Sequence, residues 1–588
     1  MTKIRCVVER ITYQNPDNGY SVLKVRLNGY DDLITVVGNL LDVTAGSVLS
    51  IEGDWKVDAK YGRQFIAEQW EETMPATLYG IEKYLGSGLI KGVGPKCAKK
   101  IVSAFGLETI SIIEDSPKKL LSVPGIGRRR IEKITESWER QKEVKNIMLF
   151  LQCYGISAGF AAKIYKAYGN ESIEKVKENP FCLADDIWGI GFKTADAIAK
   201  KMGIEKESFI RCRSGLMYTL NELADEGHTF AFRDQLVKKG VDLLDATEPA
   251  IAAALEKMLV NQDLILDGDA IFLHPFYHAE TGVASKLLRL IPTAPSKELP
   301  EEIPVGEIEQ ASGIHYDPVQ IDAITQAAKS KVMVLTGGPG TGKTTVTQGI
   351  ISMYRTFGLK VLLAAPTGRA AKRMTEATGL EAKTIHRLLE FKPPNGYEKN
   401  ENTPLEGDVL IVDEASMIDV ILMNSLLKAI PPQMRLILVG DIDQLPSVGA
   451  GNVLRDMIDS GSVPVVRLTK IFRQAQSSRI VMNAHRINEG VFPDISNGKK
   501  ADFFFLEDSD PEHTAGQIVD LVKRRLPKAY NVPTSSIQVL TPMQRGVIGA
   551  SNLNLVLQDA INPTGVLLRR SGLTYRLHDR VMQIKNNY

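Results

Sequence analysis

Alternation is the first regularity in this chain. Leu23, Val25 and Leu27 are interleaved with Lys24 and Arg26, the period of a strand with one face buried. Further β-rich runs lie at Ile4–Ile11, Val36-Val37, Val48–Ile51 and Phe65-Ile66, separated by turn-forming clusters such as Asn15–Asn18 and Gly29–Asp32. About five short strands predict a small β-barrel-like domain of the oligonucleotide-binding type over residues 1–74. Later, helical periodicity covers Leu216–Leu223 and Ile251–Leu259, and Leu264–Leu266 and Ile271–Leu273 flank Asp267-Gly268-Asp269-Ala270 as a hairpin. Helices followed by a hairpin predict a winged-helix-like module over residues 206–295. The proline-rich, acidic stretch Pro292–Glu309 reads as a linker. Uniformly apolar runs follow at Val332–Leu335, Val361–Ala365, Val409–Val412 and Leu436–Val439, as expected of parallel strands covered on both faces, and a further strand is expected at Val465–Leu468. A last strand is expected at Ser536–Leu540.

Between the barrel and the module the pattern is a repeat. Gly92, Gly125, Gly155 and Gly189 each open a unit of glycine, an apolar residue, glycine or serine, and a helix, at spacings of 33, 30 and 34 residues. Apolar residues recur at the sixth and ninth positions after each starting glycine. The units resemble helix-hairpin-helix motifs, and residues 75–205 are expected to be all-α. Glycines at a hairpin leading into a helix allow a phosphate to approach exposed N–H groups. Lys91–Ile134 carries ten Lys/Arg against four Asp/Glu, a local net charge of +6, so the first two units are the expected DNA contact. Lys96, Arg128, Arg129 and Arg130 are the candidates there; the third and fourth units are poorer in basic residues and read as scaffold.

Composition narrows the class. At 588 residues the chain is too long for one core, and about three to five domains are expected. A net charge of +1 means that any nucleic-acid surface is local. The five cysteines include no CxxC pair, which argues against a disulfide framework or a zinc site and suits a reducing cytoplasm. His274 and His278 are four apart but lack further ligands nearby in sequence. No apolar run is long enough to span a membrane.

The chemistry concentrates after residue 310. Gly337-x4-Gly342-Lys343-Thr344 has the spacing of a phosphate-binding loop between a strand and a helix. Gly338, Pro339, Gly340, Thr341 and Gly342 would wrap the phosphates, Lys343 would reach the β- and γ-phosphates, Thr344 would hold Mg²⁺, and Thr345 follows in the helix. Upstream, Gln320 has a two-faced amide able to read an adenine edge. Strand Val409–Val412 delivers Asp413 and Glu414, the first suited to Mg²⁺ and the second to the attacking water. Leu436–Val439 leads to Gln444, a candidate γ-phosphate sensor, and Arg473 follows the next strand as a candidate for neutralising transition-state charge. Thr367 and Arg369 after Val361–Ala365, with His386 and Ser447, are candidates for contact with a nucleic-acid backbone.

In order, Gln320, Gly337–Thr344, Pro366–Arg369, Asp413-Glu414, Gly440–Gln444 and Phe472-Arg473-Gln474 match the early motifs of superfamily 1 DNA helicases. The wordings GGPGTGKT, APTGRAA, VDEASM, GDIDQLPSVGAG and IFRQ resemble the RecD branch, in its long form with helix-hairpin-helix repeats. The resemblance covers essentially the whole chain. It implies two RecA-like α/β motor domains, at 310–460 and 461–588, ATP hydrolysis with Mg²⁺, and 5′→3′ movement on single-stranded DNA in repair or recombination. It also implies a duplex-splitting β pin near 389–408, where Asn395-Gly396 predicts a hairpin turn. Implied partners are single-stranded DNA, duplex–single-strand junctions and a single-stranded DNA-binding protein, with a monomeric, cytoplasmic enzyme. No later TxHxxQG-like segment follows, and the chain reads as C-terminally incomplete, with the second motor domain unfinished. Two rival readings are a nucleotide-holding DNA-binding protein that does not unwind, and an ATPase that remodels a protein ring.

Overall fold

A computed structural model of the chain describes residues 2–14, 20–27, 32–40, 43, 48–58, 62–73, 78, 81, 82, 85, 93–156, 158–472, 476–498, 501–570 and 573–582. It divides into two units, Met1–Tyr218 with Val237–Lys257, and Thr219–Leu236 with Met258–Tyr588.

The first unit begins with strands β1 (Thr2–Gln14), β2 (Tyr20–Leu27), β3 (Ile34–Asn39), β4 (Val48–Asp58) and β5 (Gly62–Thr73). They close into a barrel in the order β1-β2-β3-β5-β4, antiparallel except for the β3–β5 pair. Alternating positions fill it: Ile4, Cys6, Val8, Leu23, Val25, Val36, Leu49, Ile51 and Phe65 point into one core, with the alternation expected at Leu23 and Val25 among them. Gly53 sits at a register shift where a Cβ would lie 1.9 Å from the Ile66 carbonyl oxygen, so only glycine lets the strands close there.

The repeat then builds helices, among them Pro95–Phe105, Arg128–Cys153, Ala158–Tyr168 and Phe192–Lys201. All eight apolar positions that define the repeat are buried: Ala98 and Ile101, Ile131 and Ile134, Ala161 and Ile164, Ala195 and Ile198. Below them Arg211, 1% exposed, ties this unit together. Its guanidinium donates to both oxygens of Asp196 at 2.6 and 3.0 Å and to the Lys206 and Leu244 carbonyls at 2.6 and 3.1 Å.

In the second unit β6 (Phe230–Phe232), β7 (Ile265–Asp267) and β8 (Ala270–Phe272) form an antiparallel sheet in the order β6-β8-β7. The predicted hairpin is the β7–β8 pair; β6 is an additional partner. The helix His274–Leu290 turns Ala279, Val283, Leu287 and Leu290 into the core of the large sheet. That sheet contains β9 (Val332–Gly337), β10 (Val361–Ala365), β11 (Ala382–Thr384), β14 (Val409–Val412), β15 (Arg435–Gly440) and β16 (Val465–Leu468). All are parallel, in the order β11-β10-β14-β15-β9-β16. Val332, Val334, Leu410, Val412, Leu436 and Leu438 face one core, while Met333, Leu335, Val409, Ile411, Ile437 and Val439 face the other. Burial on both faces explains the uninterrupted apolar runs.

Between β11 and β14, β12 (Phe391–Lys392) and β13 (Gly396–Tyr397) form a short antiparallel hairpin. Gly396, at φ +86°, is the first residue of β13 rather than part of a two-residue turn, so Pro393–Asn395 make the loop.

Two expectations are corrected. Pro292–Glu309 is not a free linker: Ser296 N–H donates to the Gln433 carbonyl at 3.0 Å, Lys297 Nζ to the Phe357 carbonyl at 2.7 Å, and Val305–Ser312 is a helix with Ile308 buried. Ser536–Leu540 is not a strand; Thr534–Ser536 is a 3₁₀ turn and Leu540 is 88% exposed. A strand needs a hydrogen-bonded neighbour, and among the described residues no strand pairs with it. Residues beyond β16 do not show a second α/β sheet among the described residues; they form helices and the hairpin β17 (Leu567–Arg570) with β18 (Leu573–Arg576).

Candidate functional site

Because the six strands are parallel, every strand-end loop that carries candidate chemistry emerges at one edge of the sheet. At its centre β9 runs into the glycine loop, and the helix Lys343–Thr356 begins with Gly342 as its N-cap at φ +83°. Thr341 Oγ1 donates to the Gly338 carbonyl at 2.8 Å and closes the loop on itself. The Lys343 ammonium folds back to the Gly337 and Gly338 carbonyls and lies 3.9 Å from Asp441 Oδ2. Thr344 is exposed at this helix start and Thr345 half-buried.

β14, next but one to β9, delivers Asp413 and Glu414. Asp413 Oδ1 accepts the Glu414 N–H at 2.9 Å, and Glu414 holds the left-handed conformation at φ +53°. Such a backbone costs on the order of 1 kcal/mol or more for a non-glycine residue, and it turns the carboxylate sharply off the strand end. Burial pushes the Asp413 carboxyl above the usual carboxylate range, opposed by the Glu414 N–H and by Lys343 and Arg373. Glu414 is raised by burial and then by the charge of Asp413. Between β14 and β9, β15 is followed by Asp441, which is buried and accepts from Asp443 N–H at 3.1 Å and from Gln444 Nε2 at 3.4 Å. Gln444 therefore stands beside the lysine's carboxylate partner. Asp441 and Arg373 were not singled out from the sequence, although Asp441 occupies the first position after a buried strand, the same place that marked Asp413.

The donors available to a cation here are hard oxygens, the Thr344 hydroxyl and the Asp413 carboxylate. That set suits Mg²⁺, which takes few protein ligands and keeps water and phosphate oxygens in its shell. Gln320, buried in the first turn of the helix Pro318–Lys329, shares a capping box with Asp317: its Oε1 accepts the Asp317 N–H at 3.0 Å. Its Nε2 faces Gly342, where a Cβ would lie 2.6 Å away. On the other side of β9 the segment after β16 covers the loop: Phe472 N–H donates to the Gly340 carbonyl at 3.4 Å, and Lys470 pairs with Asp317. Arg473 lies outside the described residues.

The remaining candidates share this edge but not the glycine loop. Thr367 caps the helix Gly368–Thr378, its Oγ1 accepting the Ala370 N–H at 3.2 Å, and Arg369 projects from the first turn. His386 packs 5.8 Å from both Phe391 and Tyr397 at the base of the β12–β13 hairpin. The Ser447 hydroxyl is held within its own turn by the Gly449 and Gly451 carbonyls at 2.8 and 2.9 Å. Leu445 and Val448 beside it are 87% and 91% exposed. His386, Tyr397, Phe276 and Val448 line one pocket of about 340 Å³, so the His386 and Ser447 loops meet there.

In the first unit, Lys96, Lys99 and Lys100 line an open groove with Pro124. Arg128 and Arg129 are exposed at the start of their helix, and Arg130 turns back to donate to the Gly125 carbonyl at 2.7 Å. A Cβ on Gly94 or Gly127 would meet nothing within 4 Å, so neither glycine is required by internal packing. Trp188, 84% exposed at the fourth hairpin, with Lys163 5.2 Å from its ring, is a surface aromatic that the scaffold reading of that unit passed over.

Residues 1–75 match the family described as ATP-dependent DNA helicase YrrC, OB-fold domain, and residues 87–140 match the SAM-like helix-hairpin-helix tandem. Residues 140–230 match the ATP-dependent RecD2 DNA helicase HHH domain, and residues 320–450 match an AAA domain. The chain is 31% identical to the ATP-dependent RecD2 DNA helicase of Deinococcus radiodurans, over 99% of this chain and 82% of that one. It is 33% identical to the RecBCD enzyme subunit RecD of Mycolicibacterium smegmatis over 41% of this chain and 47% of that one. The Mycobacterium tuberculosis subunit is 30% identical over 56% and 60%.

Proposed function

The chain belongs to the family of ATP-dependent RecD2 DNA helicases, and from that premise we propose that it hydrolyses ATP with Mg²⁺ to move 5′→3′ along single-stranded DNA and open duplex–single-strand junctions. The observation that carries this reading is the shared sheet edge. Along it the loops of His386 and Thr367 follow β11 and β10, and next to them Asp413-Glu414, Asp441–Gln444 with Ser447, and the glycine loop follow β14, β15 and β9 in turn. A change at the nucleotide is thereby transmitted to a second ligand through strands that are direct hydrogen-bonded neighbours.

In this reading Lys343 binds the β- and γ-phosphates, and the loop N–H groups cradle them. Thr344 and Asp413 would hold a magnesium ion, whose chemistry when bound would be to offset phosphate charge. Glu414, its pKa raised by burial and by the adjacent Asp413 charge, orients and deprotonates the attacking water. Gln444, linked to Asp441, stands where it answers to the γ-phosphate, and Arg473 supplies a further positive charge. Gln320 reads the adenine. Thr367, Arg369, His386 and the Ser447 loop line the path of single-stranded DNA, the β12–β13 hairpin is the splitting pin, and Lys96 with Arg128–Arg130 grips backbone phosphate. The order of helices and strands in residues 209–272 supports the winged-helix-like reading of that module. A monomer acting in the cytoplasm, in repair or recombination and alongside a single-stranded DNA-binding protein, completes the proposal.

The test is ATP hydrolysis by the purified chain with and without single-stranded DNA, beside unwinding of 5′-tailed and 3′-tailed duplexes. DNA-stimulated turnover with preference for the 5′ tail is expected. Turnover indifferent to DNA would refute the coupling, and a 3′ preference would refute the polarity.

A further inference from the structure

The helix Arg479–Asn488 carries one side chain onto the phosphate loop from outside every motif described above. The His485 ring lies against Gly338, where a Cβ would come within 2.7 Å of its Cε1, and Nε2 is 3.3 Å from the Pro339 carbonyl oxygen. A carbonyl can only accept, so Nε2 is the protonated nitrogen in this contact.

A trans peptide points its C=O and N–H in opposite directions. Tethering the Pro339 oxygen toward the helix Arg479–Asn488 therefore turns the Gly340 N–H away from that helix. The neighbouring peptide is held in the same manner, since Phe472 N–H takes the Gly340 oxygen at 3.4 Å and turns the Thr341 N–H to the opposite side. Gly340 and Gly342 stand at φ +76° and +83°, the left-handed positions that let successive N–H groups converge on an anion.

We infer that His485 is a positioning residue for nucleotide binding: its Nε2–H pins the Pro339 carbonyl and so presents the Gly340 amide to the phosphates. It acts through the loop backbone and touches no reacting atom. The inference rests on the ATP-binding reading of the loop and adds to it a residue 146 positions away in sequence.

Two substitutions separate the hydrogen bond from the packing. His485→Phe keeps a ring over Gly338 but has no donor; His485→Gln keeps an N–H donor without the ring. The readouts are the dissociation constant for a non-hydrolysable ATP analogue, and KM and kcat for DNA-stimulated ATP hydrolysis. Lys343→Ala and the unaltered chain are measured alongside. Removing one net hydrogen bond predicts analogue binding and KM weakened about two- to tenfold in His485→Phe. Its kcat should stay within about twofold, because the loop holds ground state and transition state alike. His485→Gln should recover most of the affinity. Analogue binding by His485→Phe equal to that of the unaltered chain overturns the inference. So does equal weakening in both variants, which would assign the effect to packing alone. If the unaltered chain itself fails to bind the analogue, the nucleotide reading has failed instead.

Discussion

Replacing Glu414 by glutamine separates chemistry from stability in opposite directions. The side chains are isosteric, and the bond that fixes this turn runs from the Glu414 backbone N–H to Asp413 Oδ1 at 2.9 Å, so it survives the change. The left-handed backbone at φ +53° is unchanged as well. What is lost is the base. General-base contributions of about 10²–10⁴ in rate correspond to about 3–5 kcal/mol of barrier, so DNA-stimulated turnover should fall by at least about a hundredfold. Binding of an ATP analogue should persist. Stability should move the other way, because burial and the adjacent Asp413 charge both disfavour the ionised carboxylate. A carboxyl whose folded pKa is raised contributes stability that is complete below its unfolded pKa and lost as pH rises through the folded value. The Gln variant never carries that penalty. Its melting temperature should therefore exceed that of the unaltered chain at pH 8, and the gap should close on acidification toward pH 4. The unaltered enzyme should also lose activity on acidification at a pH above the ordinary carboxylate range. Steady-state ATPase and thermal melts across pH test both halves. A Gln variant that keeps more than about a tenth of the turnover, or melts lower at pH 8, refutes the assignment of Glu414 as a buried base.

Lys343→Ala should abolish measurable hydrolysis while leaving nucleotide-free binding to single-stranded DNA nearly intact; equal loss of both would mean that the loop is structural. Reversing charge at Arg128, Arg129 and Arg130 should flatten the dependence of log affinity on log salt by about two to three, measured by titration at several ionic strengths. An unchanged slope would return those arginines to the scaffold. Arg211→Ala should cost the first unit about 3 kcal/mol in urea unfolding, since it leaves the buried Asp196 with only the exposed Lys200 at 2.9 Å and strands two carbonyls. Adding Asp196→Asn should recover part of that loss, and a single-variant cost under about 1 kcal/mol would show that the pair is dispensable.

What was legible in the chain was whatever local pattern and burial share. Period-two alternation found one barrel strand and short β-rich runs the other four, and the repeat found eight helical positions that all became core. Strand-end carboxylates were legible because a run such as Val409–Val412 has nowhere to go but a covered sheet. Pairing across distance was not legible. Phe230–Phe232 is three residues long and exists as a strand because β8 accepts it. Ser536–Leu540 has strand composition and no partner among the described residues. Proline and acid at Pro292–Glu309 correctly opposed regular structure at its start, but they do not oppose contact, and the stretch is held by carbonyls on two distant loops. The His485 contact has no local signature at all.

Gln320 shows how the fold narrows the role expected of a residue. From sequence its amide offers both an acceptor and donors to an adenine. In the fold, Oε1 is committed to the Asp317 N–H in the capping box at 3.0 Å. Rotating the amide by a half turn would set –NH₂ against that N–H, so the box fixes which end faces the loop. The donor end faces Gly342, and it is the donor that an adenine ring nitrogen would take. Asp317 is in turn paired with Lys470, two residues before Phe472, whose N–H holds the Gly340 carbonyl. The amide proposed to read the base and the shape of the loop are thus two ends of one chain of contacts: Gln320, Asp317, Lys470, Phe472, Gly340. Asp317→Ala should consequently weaken ATP binding without touching nucleotide, by releasing Lys470 and the Val319 N–H, while the Asp317 backbone N–H still holds the Gln320 amide. Gln320→Glu, which keeps the capping acceptor but replaces the donor, should impair base recognition alone. Comparing ATP with another nucleoside triphosphate in the two variants separates these effects. Loss of base preference without loss of affinity is expected for Gln320→Glu, and loss of affinity for both nucleotides for Asp317→Ala. The reverse pattern would break the chain at its first link.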